Sequence, residues 1–290
     1  MQWSNKTPME NLEIGKINTL KVIKELDFGI YLDGLNEGEI LMPRQYVREG
    51  TKPGDYLDCF IYFDSEDRII ATSLIPYAQV DEFAYLKVVS VNPTGAFLDW
   101  GLAKDILVPF REQKMEMGEG RKYIVYVYYD EPSKRIAATA KVERYLNLEP
   151  HDYIEGEAVT ILIYQKTDIG YKVIVNQKHI GVIHTSDIFM SLDLGMEMVA
   201  YIKKVKDDGK IDLLIHKPGY EAIDELSQFL LDKLKNKGGF LELNDKSPSE
   251  LIYHQLAMSK KTFKKAVGSL YKNRLIAIEE SGIRLIEQKA

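Results

Sequence analysis

One cysteine, Cys59, stands among 290 residues. It excludes an internal disulfide and a cysteine-rich zinc site. No apolar stretch approaches the ~18 residues of a membrane-spanning helix, so none is expected. The opening residues, MQWSNKTPMENLE, lack an apolar core and do not read as a secretory signal, and the simplest location is the cytoplasm. No Ser-His-Asp order, glycine-rich phosphate loop or carboxylate cluster is found. The chain is therefore expected to be non-enzymatic, with no cofactor and no metal. His179 and His184 lie five apart in or beside a strand, on opposite faces, which argues against a joint metal site. Acidic residues are missing altogether from 251 to 278, where Lys260, Lys261, Lys264, Lys265, Lys272 and Arg274 lie. Residues 1–218 carry a balance of −8 and residues 219–290 one of +2, so an acidic body precedes a basic tail.

The body repeats itself. Residues 20–44, LKVIKELDFGIYLDGLNEGEILMPR, align with 86–110, LKVVSVNPTGAFLDWGLAKDILVPF, at a constant offset of 66. Gly29 answers Gly95, Asp33 answers Asp99, and Pro43 answers Pro109. Arg68-Ile-Ile-Ala-Thr answers Arg135-Ile-Ala-Ala-Thr, and a fainter third copy follows Gly170 and contains Lys210-Ile-Asp-Leu-Leu-Ile. A unit this long is a duplicated small domain, not a solenoid repeat.

Within each copy, short apolar runs separated by Gly, Asn, Asp and Pro read as β-strands. They fall at 16–25, 28–33, 38–42, 56–63 and 68–73, then at 84–91, 95–100, 104–108, 122–129 and 135–140, and last at 157–165, 170–175, 179–184, 197–205 and 210–215. Five short strands in about 70 residues predict a small closed barrel, which leaves few unpaired edges. Pro53-Gly54-Asp55, Gly118-Glu-Gly120 and Gly195 precede the fourth strands. Asp64-Ser-Glu-Asp, Asp130-Glu-Pro-Ser and Asp207-Asp-Gly are expected turns between the last two strands. Pro76 and Pro150 mark linkers.

After Pro218-Gly219 the period becomes helical. Ile223, Leu226, Phe229, Leu230 and Leu234 define one amphipathic helix, which stops at Gly238-Gly239. Phe240-Leu-Glu-Leu is a short strand. Ser247-Pro-Ser-Glu250 has the form of a capping box, followed by Leu251, Ile252 and Leu256. Ser259 is the next expected N-cap, before a third helix with a Phe263, Val267, Leu270 and Tyr271 stripe. Leu275-Ile-Ala-Ile and Ile283-Arg-Leu-Ile form a closing hairpin. This is the winged-helix order. The chain is thus expected to be multidomain and mainly β: three tandem five-stranded OB-fold barrels at 1–77, 78–148 and 149–218, followed by an α+β winged-helix domain at 219–290.

Asp27-Phe28-Gly29-Ile30-Tyr31-Leu32 is the most informative short segment. A glycine inside a strand marks a bulge or a close approach. Here it would place Phe28 and Tyr31 on the outer face as a stacking platform for bases; the alternative is that one or both belong to the core. Copy two keeps Phe97, and copy three substitutes Lys172. Asp33 and Asp99 hold equivalent positions and are assigned to turns or sheet edges.

These residues resemble the ribosomal "S-one" type of RNA-binding domain, an OB-fold barrel. Its face typically has an aromatic-Gly-x-aromatic strand, a His within Gly-Leu-Val-His-Ile-Ser, and an Asp and Arg in the last turn. Gly181-Val-Ile-His184-Thr-Ser186 is similar to the His segment, and Asp64 and Arg68 look like the last pair. Met42 and Val108 are placed at the His position in copies one and two, and Ile169 replaces the first aromatic in copy three. Three such barrels and a winged helix resemble the bacterial conserved virulence factor B (CvfB-like) family. That resemblance covers essentially the whole chain and implies RNA binding with a role in regulating gene expression.

The expected partner is single-stranded RNA. Phe28, Tyr31 and Phe97 would stack on bases, while Arg68, Arg135, Lys172, His184 and Lys210 would flank them. Lys260, Lys261, Lys264, Lys265, Lys272 and Arg274 would contact phosphate, or else form an ordinary solvated helix face. The rivals are a regulator bound to duplex DNA through the third helix and a protein-binding scaffold on a ribosome or polymerase, which the acidic body would favour.

Overall fold

The computed structural model describes residues 11–147, 152–188, 191–206, 208–215 and 225–286. Pro150, Asp207, Pro218-Gly219, Ile223 and the side chain of Leu226 lie outside the described residues.

The first barrel comprises β1 (Ile17–Leu26), β2 (Gly29–Asp33), β3 (Glu39–Pro43), β4 (Tyr56–Phe63) and β5 (Ile69–Thr72). The second comprises β6 (Phe83–Asn92), β7 (Gly95–Asp99), β8 (Ile106–Pro109), β9 (Lys122–Asp130) and β10 (Arg135–Thr139). The third comprises β11 (Ala158–Thr167), β12 (Gly170–Val175), β13 (His179–His184), β14 (Glu197–Val205) and β15 (Ile211–Leu214). All three are closed, with the third strand of each beside the fifth. That pairing is parallel, at Leu41 and Ile70, Leu107 and Ala137, and Gly181 and Ile211.

Closure relies on the same devices in every copy. The register of the first strand slips between Val22 and Lys24, between Val88 and Ser90, and between Ile163 and Gln165. Such a bulge bends a strand and strengthens its twist, which lets one strand serve both edges of a short barrel. The buried residue before each slip is clasped by the loop ahead of the fourth strand. Val22 accepts from the Gly54 N–H and donates to the Asp55 carbonyl, both at 2.8 Å; Val88 does the same with Gly120 and Arg121 at 2.9 Å. Ile163 accepts from Gly195 at 2.8 Å and donates to Met196 at 3.0 Å. Gly54, Gly120 and Gly195 have φ of 98°, 77° and 82°, a region that glycine enters without a Cβ penalty.

The strand glycines answer a different need. A Cβ on Gly29, Gly95 or Gly170 would lie 2.3, 2.3 or 2.0 Å from the carbonyl oxygen of Met42, Val108 or Ile183. They mark close approach, and the bulge lies on the facing strand instead. Met42, Val108 and Ile183 are themselves buried in the three barrel cores. The placement of Met42 and Val108 at the His position is therefore one residue out of register. The strand-ending residue that precedes the 3-10 turn is His184 in copy three and Pro43 and Pro109 in the others.

Barrels one and two belong to one compact unit. The second core includes Phe60 and Tyr62 of the first barrel, and Phe60 meets Trp100 edge-on at 5.6 Å. The C-terminal domain contains α1 (Glu225–Asn236), β16 (Phe240–Leu241), α2 (Ser249–Leu256), α3 (Lys260–Lys272), β17 (Ile276–Glu279) and β18 (Gly282–Leu285). Its core gathers Leu230, Leu234, Ile252, Leu256, Phe263, Val267 and Leu270.

Four helical expectations need correction. Phe229, Leu251 and Tyr271 are exposed, because the buried stripes are narrower and run through Leu230, Leu231 and Leu234, through Ile252 and Leu256, and through Phe263, Ala266, Val267 and Leu270. The capping box does not form: Pro248 is the N-cap of α2, and the Ser247 hydroxyl accepts instead from the Asn244 N–H at 2.9 Å. Ser259 does cap α3, accepting from the Thr262 N–H at 3.1 Å.

Candidate nucleic-acid interface

Phe28 occupies the two-residue turn between β1 and β2 and is 56% exposed. Tyr31 is half-buried on β2, and the two rings meet edge-to-face at 6.3 Å and 85°. This geometry is favourable for aromatic pairs, and it leaves Phe28 more than half exposed. Lys24 lies opposite Tyr31 in the ladder, with its Nζ 4.6 Å from the Tyr31 centroid, while also pairing with Glu39. Arg44 braces the turn. Its backbone N–H donates to the Phe28 carbonyl at 2.9 Å, and its guanidinium donates to Glu25 at 2.7 Å and to the Leu26 carbonyl. Lys24 and Arg44 were not singled out from sequence. The signal for Lys24 was its cross-strand register with Tyr31.

Arg68 is exposed but engaged. It pairs with Asp64 at 2.7 Å and with Glu66 at 2.9 Å. Burial pushes the Asp64 carboxyl up, yet the Arg68 N–H, its guanidinium and the Glu66 N–H hold it below the ordinary carboxylate range. Asp33 and Asp99 accept from the N–H two residues on, Leu35 at 3.1 Å and Gly101 at 2.9 Å. These are the expected turn roles.

Phe97 and Arg135 come together along a groove of about 500 Å³ in the first unit, with Tyr128, Arg111, Lys104 and Asp67. Arg135 pairs with Asp67 of the first barrel, and Lys104 reaches the same carboxylate at 3.0 Å. Hydrogen bonds from Lys104 and Arg135 keep Asp67 below the ordinary carboxylate range. Asp105, on the same lining, is pushed up by burial and by Asp99.

In the third barrel, Lys172 is half-buried on β12 across from Gln165. It holds the strand position of Tyr31 and Phe97, and exposed Ile169 holds that of Phe28. His184 Nε2 lies 3.0 Å from Asp212 Oδ1, which also accepts from Lys206 at 2.8 Å. Burial pushes Asp212 up, but Lys206 and then His184 bring it below the ordinary range. Lys210 is held by Asp208 at 2.6 Å.

The basic helix differs. Lys261, Lys264 and Lys265 are exposed on α3, and none forms an ion pair with a described residue. Among the described residues, Lys260 makes a long 3.5 Å contact to the Lys246 carbonyl. Lys272 lies in the last turn, and Arg274 follows in a left-handed conformation at φ 55°. Both are exposed.

Family models match in two places. The S1 domain model covers residues 14–74 and 82–141, and the CvfB-like winged helix domain model covers 228–285. Among full-length relatives, the Staphylococcus aureus protein named conserved virulence factor B is 25% identical over 95% of both chains. The chain carries two S1 domains and a CvfB-like winged helix. A Bacillus subtilis relative, uncharacterized protein YitL, is 27% identical over 91% of both chains. A solved multidomain protein with nucleic acid binding domains from Streptococcus pneumoniae covers 94% of this chain and 98% of its own, at 24% identity and a TM-score of 0.43. The S1 domain and the winged helix are nucleic-acid-binding domain types. Among the described residues, no helix is long and apolar enough to cross a membrane, and no group of three or more His, Cys, Asp or Glu is placed to hold a metal ion.

Proposed function

We propose that this protein binds single-stranded RNA without catalysing a reaction, and that it regulates gene expression through that binding. The observation that carries this reading is the exposed Phe28, edge-on to Tyr31, whose own ring lies against Lys24. An exposed aromatic pair with a cation against it suits an unpaired base and its phosphate, whatever the base. In the proposed division, barrels at 1–77, 78–148 and 149–218 offer stacking and polar contacts through Phe28, Tyr31, Phe97, Lys172 and His184. The domain at 219–290 adds phosphate contacts from Lys260, Lys261, Lys264, Lys265, Lys272 and Arg274. Sites that are weak alone gain affinity by being linked.

Duplex DNA is the second reading, favoured by Lys261, Lys264 and Lys265 of α3, which form no ion pair with a described residue. It is weakened by the lack of Asn, Gln or Arg at the start of that helix, since those side chains read base edges. Anisotropy with labelled oligo(U), matched single-stranded DNA and duplex DNA over a salt series separates the two. RNA is expected to bind most tightly, and Phe28→Ala to reduce its binding by roughly 1–3 kcal/mol. Absence of RNA binding at low salt overturns the reading, and a duplex preference replaces it with the second.

A further inference from the structure

The groove of the first unit holds chemistry that a strand lying across an open barrel face does not require. Its volume of about 500 Å³ falls in the roughly 300–1,000 Å³ range of clefts that enclose a small ligand. The second barrel supplies two aromatic surfaces, Phe97 and Tyr128, and Tyr128 stacks near-parallel with Tyr145 at 6.1 Å. It also supplies three cations, Lys104, Arg111 and Arg135. Aromatic rings with Arg and Lys are what a nucleobase and its phosphate need: the rings accept any base, and the cations make charge-assisted bonds to phosphate oxygens.

The first barrel supplies an occupant for two of those cations. Asp67, in the turn between β4 and β5, pairs with Arg135 and with Lys104. Its φ of 58° belongs to the left-handed region, which Asp and Asn tolerate better than other side chains. The turn is closed by the Asp67 N–H on the Asp64 carbonyl at 3.1 Å, and Lys104 also donates to that carbonyl at 2.6 Å. A carboxylate that bridges an Arg and a Lys at the edge of an aromatic-lined cleft occupies the position a ligand phosphate would take.

We propose that this composite groove is a site for a single nucleotide unit, closed in the free protein by Asp67, and that the nucleotide's phosphate replaces the Asp67 carboxylate on Lys104 and Arg135. The exchange is ionic and breaks no covalent bond. The site deepens the RNA-binding reading, because a 5′-phosphorylated strand end and a free mononucleotide present the same base and phosphate.

The test is titration calorimetry of the full chain with uridine and adenosine 5′-monophosphates, with the corresponding nucleosides, and with oligo(U) carrying or lacking a 5′-phosphate. Asp67→Asn keeps the side-chain shape and suits the left-handed backbone. It is expected to tighten mononucleotide binding about two- to fivefold, the scale of an exposed pair, without improving nucleoside binding. Tyr128→Leu and Phe97→Leu are expected to weaken it about fivefold or more. A 5′-phosphate-dependent gain for oligo(U) identifies the ligand as a strand end, and a response confined to mononucleotides identifies it as a free nucleotide. The proposal is overturned if Asp67→Asn weakens or leaves unchanged the binding of mononucleotides, or if none binds to either protein. In that case oligo(U) binding that survives Tyr128→Leu leaves the broader reading intact. Mononucleotide binding without any oligo(U) binding overturns the broader reading and leaves the groove.

Discussion

The barrels and α3 both display basic side chains, but in opposite electrostatic states. In the barrels, Arg68 faces Asp64 and Glu66, Arg135 faces Asp67, Lys210 faces Asp208, and His184 shares Asp212 with Lys206. On α3, Lys261, Lys264 and Lys265 stand in a stretch without acids. A cation that already holds a carboxylate must give it up before it can take a phosphate. An unpaired one gives up only water and counterions, and releasing counterions is favourable. The difference teaches that counting basic residues on a repeat says little about where anion binding resides. The neighbouring acids decide it.

The comparison is tested most severely by removing charge on each side. Lys261→Ala/Lys264→Ala/Lys265→Ala is expected to lower RNA affinity by about ten- to a hundredfold at moderate salt. The slope of log affinity against log salt should fall by up to ~2, at ~0.7 per lost contact on a single strand. Arg68→Ala/Lys210→Ala should stay within about twofold, because each of those cations is already neutralised by an acid. Anisotropy over a salt series reads both. Equal losses from the two variants would erase the distinction between the regions.

Two glycines sharpen the contrast at the level of the backbone. Gly29 in the first barrel has no room for a Cβ, with the Met42 carbonyl oxygen 2.3 Å from where it would lie. Gly29→Ala must push two strands apart and should destabilise that barrel by about 1–3 kcal/mol. Gly268 in α3 is exposed, and nothing lies within 4 Å of the corresponding point. Gly268→Ala should therefore stabilise the winged helix by about 0.5–1 kcal/mol, through lower backbone entropy in the unfolded chain. Thermal unfolding of each variant gives the sign, and a destabilising Gly268→Ala would contradict the open surface described for α3.

Much of this was legible in the sequence, and the residues show why. Period-two apolar runs mark the barrel strands because a closed sheet must bury alternate side chains, and β13 and β14 fall on the expected residues. Phe28 and Tyr31 could be paired because only Gly29 and Ile30 separate them. What escaped depends on partners distant in sequence. Asp67 meets Arg135 across 68 positions, and no pattern within one copy announces a carboxylate from another. The one-residue misplacement at Met42 and Val108 has a similar origin. Alternation does not reveal which residue ends the strand, whereas Pro43 and Pro109, each beginning a 3-10 turn as His184 does, settle it. Ser247 read as a helix cap because its spacing to Glu250 was right, but Asn244 competes for the same hydroxyl.

The smallest expected effect lies in the third barrel, where the paired state can be undone by pH. Asp212 has its pKa depressed in the folded protein, burial being outweighed by Lys206 and His184. For a carboxylate lowered on folding, the stabilisation is fully present above the unfolded pKa, about 3.9, and is lost as pH falls through the lower folded value. Asp212→Asn should remove this carboxylate's share of the barrel's pH dependence over that acidic window, leaving the share of Asp208, which Lys210 also holds low. The same substitution releases Lys206 and His184 from their shared acid and makes the third barrel more like α3. RNA affinity at neutral pH should then rise slightly, by less than about twofold, and chemical-shift changes on β13 and β15 during an RNA titration would show that barrel responding. If affinity instead falls, Asp212 orients His184 toward the ligand, and in this barrel the pairing of cation with acid serves binding instead of competing with it.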